Sequence, residues 1–168
     1  TVYEVAVANA SNVITVTDDT QTNIYTSSTG KGSVDFTSVS GDVAVDMGNT
    51  GSYGSSSIYN GITTVKGGSG STKLIGASSA NNLLEAGSGE TSLYGGGKSS
   101  DTLVGGSAAD TFYFGAGDGR DSISGFAYGT GDNADTLALY SGSIQSITNA
   151  NGGLVINETD GSVLHING

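Results

Sequence analysis

A nine-residue repeat between residues 67 and 124 is the feature that most constrains how this chain can fold. Six windows share one frame, with glycine at position two in five of them and a large apolar residue at position eight in all six. The windows are GGSGSTKLI (67–75), GASSANNLL (76–84), AGSGETSLY (86–94), GGKSSDTLV (96–104), GGSAADTFY (105–113) and AGDGRDSIS (116–124). Glycine-rich turns that alternate with short apolar segments, without a helical period, predict stacked short strands.

The apolar residue at position eight of each window is predicted to point into a narrow core. These residues are Leu74, Leu83, Leu93, Leu103, Phe112 and Ile123. A seventh window, TGDNADTLA (130–138), follows a five-residue insertion and adds Leu137, while IYNGITTVK (58–66) fits weakly through Val65. We expect successive strands to enter opposite sheets, so that each window stacks on the window two places later. The predicted fold class is all-β, a parallel β-roll or β-solenoid with a terminal β-hairpin cap.

The segments on either side of the repeat have a different pattern of apolar and polar residues. In residues 1–57 the apolar residues are spaced less regularly, with Ile14, Ile24 and Val34 ten residues apart. This spacing predicts further solenoid rungs or a small capping sheet. Residues 58–139 are predicted to form the roll itself. In residues 140–168, apolar and polar residues alternate around the turn sequence ETDG, which predicts a hairpin that caps the roll.

The charge balance narrows the classes of partner. The formal net charge is −11, with only five lysines and arginines, so nucleic-acid binding and attachment to anionic membranes are both disfavoured. No apolar run is long enough to insert into a membrane as a helix, and the absence of cysteine excludes disulfides and thiolate chemistry. A cation is the natural partner for such a surface.

The windows GGKSSDTLV, GGSAADTFY and AGDGRDSIS resemble the calcium-binding nonapeptides of the repeats-in-toxin (RTX, haemolysin-type) family. The later stretch DGRDSISGF…DNADTLAL is similar to the way in which that family ends a roll. The resemblance implies a calcium-binding structural module of a large secreted or cell-surface bacterial protein, exported by type I secretion. It also implies that the chain stays unfolded in the low-calcium cytosol and folds outside the cell at roughly millimolar calcium.

The same resemblance implies two calcium sites, because position-six aspartates of the family bind calcium together with backbone carbonyls of the glycine turns. Carried over residue by residue, Asp101 pairs with Asp121, and Asp110 pairs with Asp135. The carbonyl ligands implied are Gly96, Lys98, Gly117 and Gly119 for the first pair, and Gly105, Ser107, Gly131 and Asp132 for the second. Calcium accepts six to eight oxygen ligands in a flexible shell, so a mixed set suits it better than it suits magnesium.

Position six lacks a carboxylate in the earlier windows, where it is Thr72, Asn81 and Thr91. We therefore expect the first half of the roll to bind no calcium and to close its turns by threonine and asparagine hydrogen bonds. In the second half, two unneutralised carboxylates about 5 Å apart would repel by about 3 kcal/mol at an effective dielectric constant near 20. We therefore predict that calcium switches this half from disorder to order.

Two other interpretations remain beside the calcium sites. The aspartates could simply cap glycine-rich turns, and the side chains of Asp118 and Asp132 are expected to face solvent. A flat sheet face could bind an extracellular glycan or a surface protein, with Tyr25, Tyr53 and Tyr59 as candidates. Catalysis is not expected: His165 is the only histidine and no G-x-S-x-G elbow is present.

Overall fold

The computed structural model describes residues 4–9, 11–17, 23–48, 58–150 and 152–167, and Tyr53 of the candidate glycan face lies outside these residues. The described residues form strands and turns with no helix, which confirms the all-β prediction for this part of the chain. It follows that no described helix could cross a membrane. The strands are β1 (Glu4–Val7), β2 (Val13–Thr15), β3 (Asn23–Thr26), β4 (Gly32–Asp35), β5 (Val43–Asp46), β6 (Ile58–Asn60), β7 (Ile62–Lys66), β8 (Thr72–Ile75), β9 (Leu83–Glu85), β10 (Thr91–Tyr94), β11 (Thr102–Val104), β12 (Thr111–Phe114), β13 (Arg120–Ser124), β14 (Thr136–Leu139), β15 (Ile144–Ala150), β16 (Gly153–Glu158) and β17 (Val163–Ile166).

Successive strands of the repeat enter two different sheets. One sheet has the order β14-β12-β10-β8-β5, and the other has the order β15-β16-β17-β13-β11-β9-β7-β4-β2. Each repeat strand therefore pairs in parallel with the strand two places along the chain, as the nine-residue period predicts. Strands β1, β3 and β6 form a separate parallel sheet of three.

One apolar side chain from each of the six windows stacks in register on that of the window two places along, and the six fill the core shared by the two larger sheets. Leu93 lies opposite Leu74 and Phe112, and Leu103 lies opposite Leu84 and Ile123. All six side chains are at most 1 % exposed and belong to one hydrophobic cluster. Burying a side chain of this size stabilises the fold by about 1.5–3 kcal/mol, so this ladder is the main apolar contribution of the repeat.

The second window is displaced by one residue from the predicted frame. Leu84 is fully buried, whereas Leu83 is only half-buried, so the window starts at Ala77 rather than Gly76. The prediction that Leu83 fills the core was therefore wrong. Since side chains alternate between the two faces of a strand, the pair Leu83–Leu84 offered two apolar choices and the spacing alone selected the wrong one. Position six of this window becomes Asn82 instead of Asn81.

Glycine at position two is required by the close stacking of the turns. A Cβ atom on Gly87 would overlap the carbonyl oxygen of Gly68, and one on Gly106 would overlap that of Gly87. On the other side of the stack, Gly97 and Gly117 also have positive φ angles of 120° and 91°. On this side the positive φ favours glycine, since a Cβ on Gly117 would have no neighbouring atom within 4 Å, whereas close approach excludes larger residues on the other side.

The C-terminal strands extend the nine-stranded sheet by a hairpin. β16 and β17 are antiparallel, with Ile156 opposite Leu164, and β17 also pairs in parallel with β13. The predicted hairpin is therefore present, and it places the turn after Glu158 beside the glycine turn that follows β12. β15 adds a further antiparallel strand at the sheet edge.

Candidate metal centre

The first predicted aspartate pair is brought together by the pairing of β11 with β13. Thr102 lies opposite Ser122, so Asp101 and Asp121 are neighbours, and the backbone N–H of Asp101 donates to Asp121 Oδ1 at 3.0 Å. Asp101 is 1 % exposed and Asp121 is 2 % exposed. Asn82 precedes Asp101 in the same column, and its backbone N–H donates to Asp101 Oδ1 at 2.7 Å. We call Asn82, Asp101 and Asp121 the first column.

The second carboxylate oxygens of this pair converge over the backbone of Gly95. A Cβ atom on Gly95 would lie 2.7 Å from Asp121 Oδ2 and 3.0 Å from Asp101 Oδ2. Asp101 Oδ2 accepts a hydrogen bond of 3.2 Å from Ser99 Oγ, but Asp121 Oδ2 is buried and finds no hydrogen-bond partner among the described residues. Only glycine leaves room at position 95 for two oxygens to approach each other.

Burial and mutual repulsion disfavour negative charge in the first column. The pKa of Asp121 is raised to about 7, mainly by loss of water contact and also by the carboxylates of Asp101 and Asp118, while the hydrogen bond from the N–H of Asp101 lowers it. Loss of water contact also raises the pKa of Asp101 above its ordinary value. The column is therefore a buried acidic site that a cation would stabilise.

The second predicted pair, Asp110 and Asp135, is also brought together, but its oxygens are better satisfied. The two residues precede Thr111 and Thr136, which lie opposite each other, and the N–H of Asp110 donates to Asp135 Oδ1 at 2.8 Å. The remaining oxygens accept backbone N–H groups: Asp110 Oδ1 from Thr91, Asp110 Oδ2 from Gly106 and Asp135 Oδ2 from Ala127. Burial raises the pKa of Asp110, while Asp135 is only half-buried.

The predicted carbonyl ligands lie in the turns around these pairs, and these turns contact different neighbouring residues. Gly119 packs on Lys98 and Ser99 of the preceding same-side turn. The N–H of Gly117, in contrast, faces the C-terminal hairpin and donates to Asp160. Gly96 lies against Gly76, two windows earlier.

Around the second pair, Gly105 faces Asp135 Oδ2 and the carbonyl of Gly125. Ser107, Gly131 and Asp132 are exposed, and the carbonyl of Gly131 accepts the N–H of Ala134 within its own turn. Asp135 is held by Ala127 from the insertion rather than by these two residues. The ligand assignment remains a prediction for both pairs.

Asn82 occupies a cage of oxygen atoms at the start of the first column. Its Nδ2 atom lies 2.9 Å from Ala77 O, 2.8 Å from Ala80 O, 3.4 Å from Gly95 O and 2.9 Å from Asp101 Oδ1. Three carbonyls and one carboxylate thus surround a single nitrogen donor, which is the kind of oxygen set that a hard cation takes. Sequence reasoning missed this residue because the frame was displaced by one.

The earlier threonines close their turns as predicted. Thr72 Oγ1 donates to Gly70 O at 3.2 Å, and Thr91 Oγ1 donates to Gly89 O at 3.1 Å. Both threonines are buried in the column that continues into Asp110 and Asp135. Neutral hydroxyl groups therefore occupy the positions at which the later windows carry carboxylates.

The prediction that the Asp118 side chain faces solvent was wrong, because this side chain is buried. It is 7 % exposed, and Tyr140 Oη lies 2.7 Å from its Oδ1 and 2.8 Å from its Oδ2, while the N–H of Gly115 donates to Oδ2 at 2.8 Å. Burial raises the pKa of Asp118, and Asp160 raises it further. Asp132, in contrast, is exposed as expected.

The two described tyrosines proposed for a glycan face, Tyr25 and Tyr59, are not available for one. Tyr25 and Tyr59 are 1 % and 2 % exposed and stack on each other in the core with ring centroids 5.1 Å apart. On the five-stranded sheet, the rings of Tyr94 and Tyr113 stack at 4.1 Å and 7°, and Lys73 Nζ lies 5.3 Å from the Tyr94 centroid. A sugar stacks on a free ring face, and the Tyr94 ring is already covered by these neighbours.

The acidic columns have no cationic side chain to neutralise them within the described part of the chain, where the one ion pair joins Lys66 to Glu85 at 3.0 Å. Nor do any three acidic or imidazole side chains of the described residues converge into a metal site by themselves. Any site here would combine two carboxylates with backbone oxygens. Comparison of the chain with known protein families and with curated proteins found no match.

Proposed function

We propose that this chain is a calcium-binding structural module of a large secreted or cell-surface bacterial protein, and that it folds as a parallel β-roll when it meets calcium outside the cell. The observation that carries the proposal is Asp121 Oδ2, a buried carboxylate oxygen without a described partner, next to Asp101 Oδ2 over a bare glycine backbone. Leaving such a group without a counter-charge costs several kcal/mol, and a divalent ion would remove that cost.

The β-roll is supported by the alternation of strands between two sheets that share one core. In a roll, each turn crosses from one sheet to the other, so turns on the same side stack two windows apart. The close backbone contact of Gly87 with Gly68, and of Gly106 with Gly87, is the contact that such stacking produces. The hairpin of β16 and β17 then covers the last rung by pairing with β13, which suits a cap.

The donor atoms around Asp101 and Asp121 fit calcium. When bound, the ion would supply two positive charges between stacked turns. Asp101 and Asp121 would each offer an Oδ2 oxygen, and the Ser99 hydroxyl and turn carbonyls are the neighbouring neutral oxygens. A hard oxygen set without nitrogen or sulfur favours calcium over zinc or copper.

The Asp110–Asp135 pair would form a second, weaker site. All four of its carboxylate oxygens already accept a backbone N–H, and Asp135 is partly open to water. Less free energy is therefore gained when an ion binds there. The two pairs together would make the second half of the repeat depend on calcium, while Thr72, Asn82 and Thr91 keep the first half independent of it.

The assignment of the first pair is tested by Asp101→Asn combined with Asp121→Asn, followed by calcium titration calorimetry. We expect the double variant to bind one ion fewer than the native chain, because neither amide supplies a negative charge. Asp46→Asn is a matched control, since Asp46 is exposed and accepts only the local N–H of Gly48 among the described residues. An unchanged number of ions in the double variant would refute the site.

We expect the Nδ2 group of Asn82 to take the place of a cation among the surrounding oxygen atoms. The variant Asn82→Asp tests this role. Without calcium, a carboxylate placed against three carbonyls and Asp101 is expected to destabilise the fold by about 3 kcal/mol or more. With calcium, the same variant is expected to bind one additional ion. Thermal unfolding in chelator and calorimetry in calcium measure the two effects.

Asn81→Asp is the control for this variant, because Asn81 is the exposed neighbour and contacts only the N–H of Ser100 at 3.2 Å among the described residues. Equal stability of the two variants in chelator would show that the oxygen cage has no electrostatic role.

A further inference from the structure

Glu158, at the end of β16, is a buried acid that the aspartate pairs do not explain. It is 2 % exposed, and neither Oε1 nor Oε2 finds a hydrogen-bond partner in the part of the chain that the structure describes. The backbone of Gly142 packs directly on Oε2, where a Cβ atom would overlap that oxygen. A carboxylate thus lies in a closed space with both oxygens unused.

Two further acids, Asp160 and Asp118, act electrostatically on Glu158. Loss of water contact raises the pKa of Glu158, and the charges of Asp160 and Asp118 raise it further. Asp118 shares the Tyr140 hydroxyl between its two oxygens, so Oδ1 accepts only part of one hydrogen bond. No lysine or arginine among the described residues pairs with these acids.

The fold holds these residues together from two distant segments. The glycine turn after β12 carries Asp118, and the hairpin between β16 and β17 carries Glu158 and Asp160. The N–H of Gly117 donates to Asp160 Oδ2 at 2.7 Å and to Ser162 Oγ at 3.1 Å, and the N–H of Val163 donates to Gly119 O at 2.8 Å. Asp160 is mainly occupied in this docking contact. Glu158 keeps both oxygens for a ligand, and Asp118 can offer Oδ1, which accepts only the shared hydrogen bond from Tyr140.

We propose that Glu158 and Asp118 hold a third divalent cation, calcium, which clamps the C-terminal hairpin onto the turn that follows β12. Glu158 would bind through both oxygens and Asp118 through Oδ1, giving three anionic donors from two side chains. Calcium commonly takes a bidentate carboxylate and completes its shell with carbonyl oxygens and water. The site lies outside the nonapeptide pattern, because one of its two ligands comes from the hairpin.

The competing explanation is that Glu158 is simply protonated. Glutamine has nearly the same shape as protonated glutamic acid, so Glu158→Gln separates the two explanations. We expect Glu158→Gln to bind one calcium ion fewer than the native chain in calorimetry, and to keep the ion lost by Asp101→Asn with Asp121→Asn. That double variant should in turn keep the Glu158 ion, so that each site is tested independently of the other. An unchanged ion count in Glu158→Gln would overturn the proposal.

Terbium luminescence provides a second measurement that does not depend on the folding of Glu158→Gln. Terbium replaces calcium at oxygen sites, and excited tyrosine sensitises its emission only over short distances. Tyr140 Oη lies 2.7 Å from Asp118 Oδ1, so Tyr140→Phe is expected to lower the sensitised emission while the number of bound terbium ions stays the same. Equal emission from Tyr140→Phe and the native chain would contradict an ion at this place.

Discussion

Chelation of calcium is expected to unfold the chain from about β11 onward while leaving the earlier repeat strands folded. The buried acids from Asp101 to Glu158 would then have no counter-charge, whereas the corresponding positions of the earlier windows are Thr72, Asn82 and Thr91. A ligand present at about one hundred times its dissociation constant stabilises a fold by about 2.7 kcal/mol per site. Two such sites account for much of the 5–15 kcal/mol that stabilises an ordinary domain.

Amide hydrogen exchange in chelator and in excess calcium measures this effect strand by strand. We expect calcium to slow exchange strongly in β11, β12 and β13, and to change β8 and β10 little. Magnesium at the same concentration is the control for ionic strength, because its small octahedral shell fits these oxygen sets poorly. Equal protection of β11 and β13 in chelator and in calcium would contradict a calcium-dependent second half.

Without calcium, the protein is expected to be more stable at pH 5 than at pH 7.5. The pKa of Asp121 is raised from 3.8 to about 7 by burial. Between these two values the unfolded chain releases a proton that the folded chain retains, so the free energy of unfolding falls as the pH rises. At 1.36 kcal/mol per pKa unit, this group alone changes the free energy of unfolding by up to roughly 2.5 kcal/mol between pH 5 and pH 7.5.

Burial also raises the pKa values of Asp101, Asp110, Asp118 and Glu158, and these groups act in the same direction. Urea unfolding in chelator at pH 5, 6 and 7.5 measures the effect, and Asp121→Asn should reduce the slope because its amide does not titrate. In excess calcium the trend should reverse, since protons compete with the ion for the carboxylates. Apo stability that rises with pH across this range would contradict the electrostatic account.

The period of the sequence was sufficient to predict which strands pair. The resemblance to calcium-binding nonapeptides implied that Asp101 pairs with Asp121 and Asp110 with Asp135, and the structure places both pairs side by side. The nine-residue spacing predicted that each repeat strand pairs in parallel with the strand two places along the chain. It failed where two adjacent residues were both apolar: Leu83 and Leu84 fit equally well, and the error concealed Asn82.

Contacts made by the hairpin were beyond sequence reasoning. Asp118 lies in a glycine turn, and the sequence of such a turn predicts exposure to solvent. The side chain is buried because Tyr140 and the β16–β17 turn pack against it. Glu158 ends an alternating strand, where an acid usually faces water. Its burial depends on Gly142 and on β17 pairing with β13, and no local pattern encodes either.

Anomalous X-ray scattering from crystals grown in millimolar calcium tests the central claim most directly. The account predicts an anomalous peak between the Oδ2 atoms of Asp101 and Asp121, beside the Gly95 backbone, at calcium–oxygen distances of about 2.3–2.6 Å. A difference map that shows only water, or no density, between these two carboxylates at saturating calcium would contradict it.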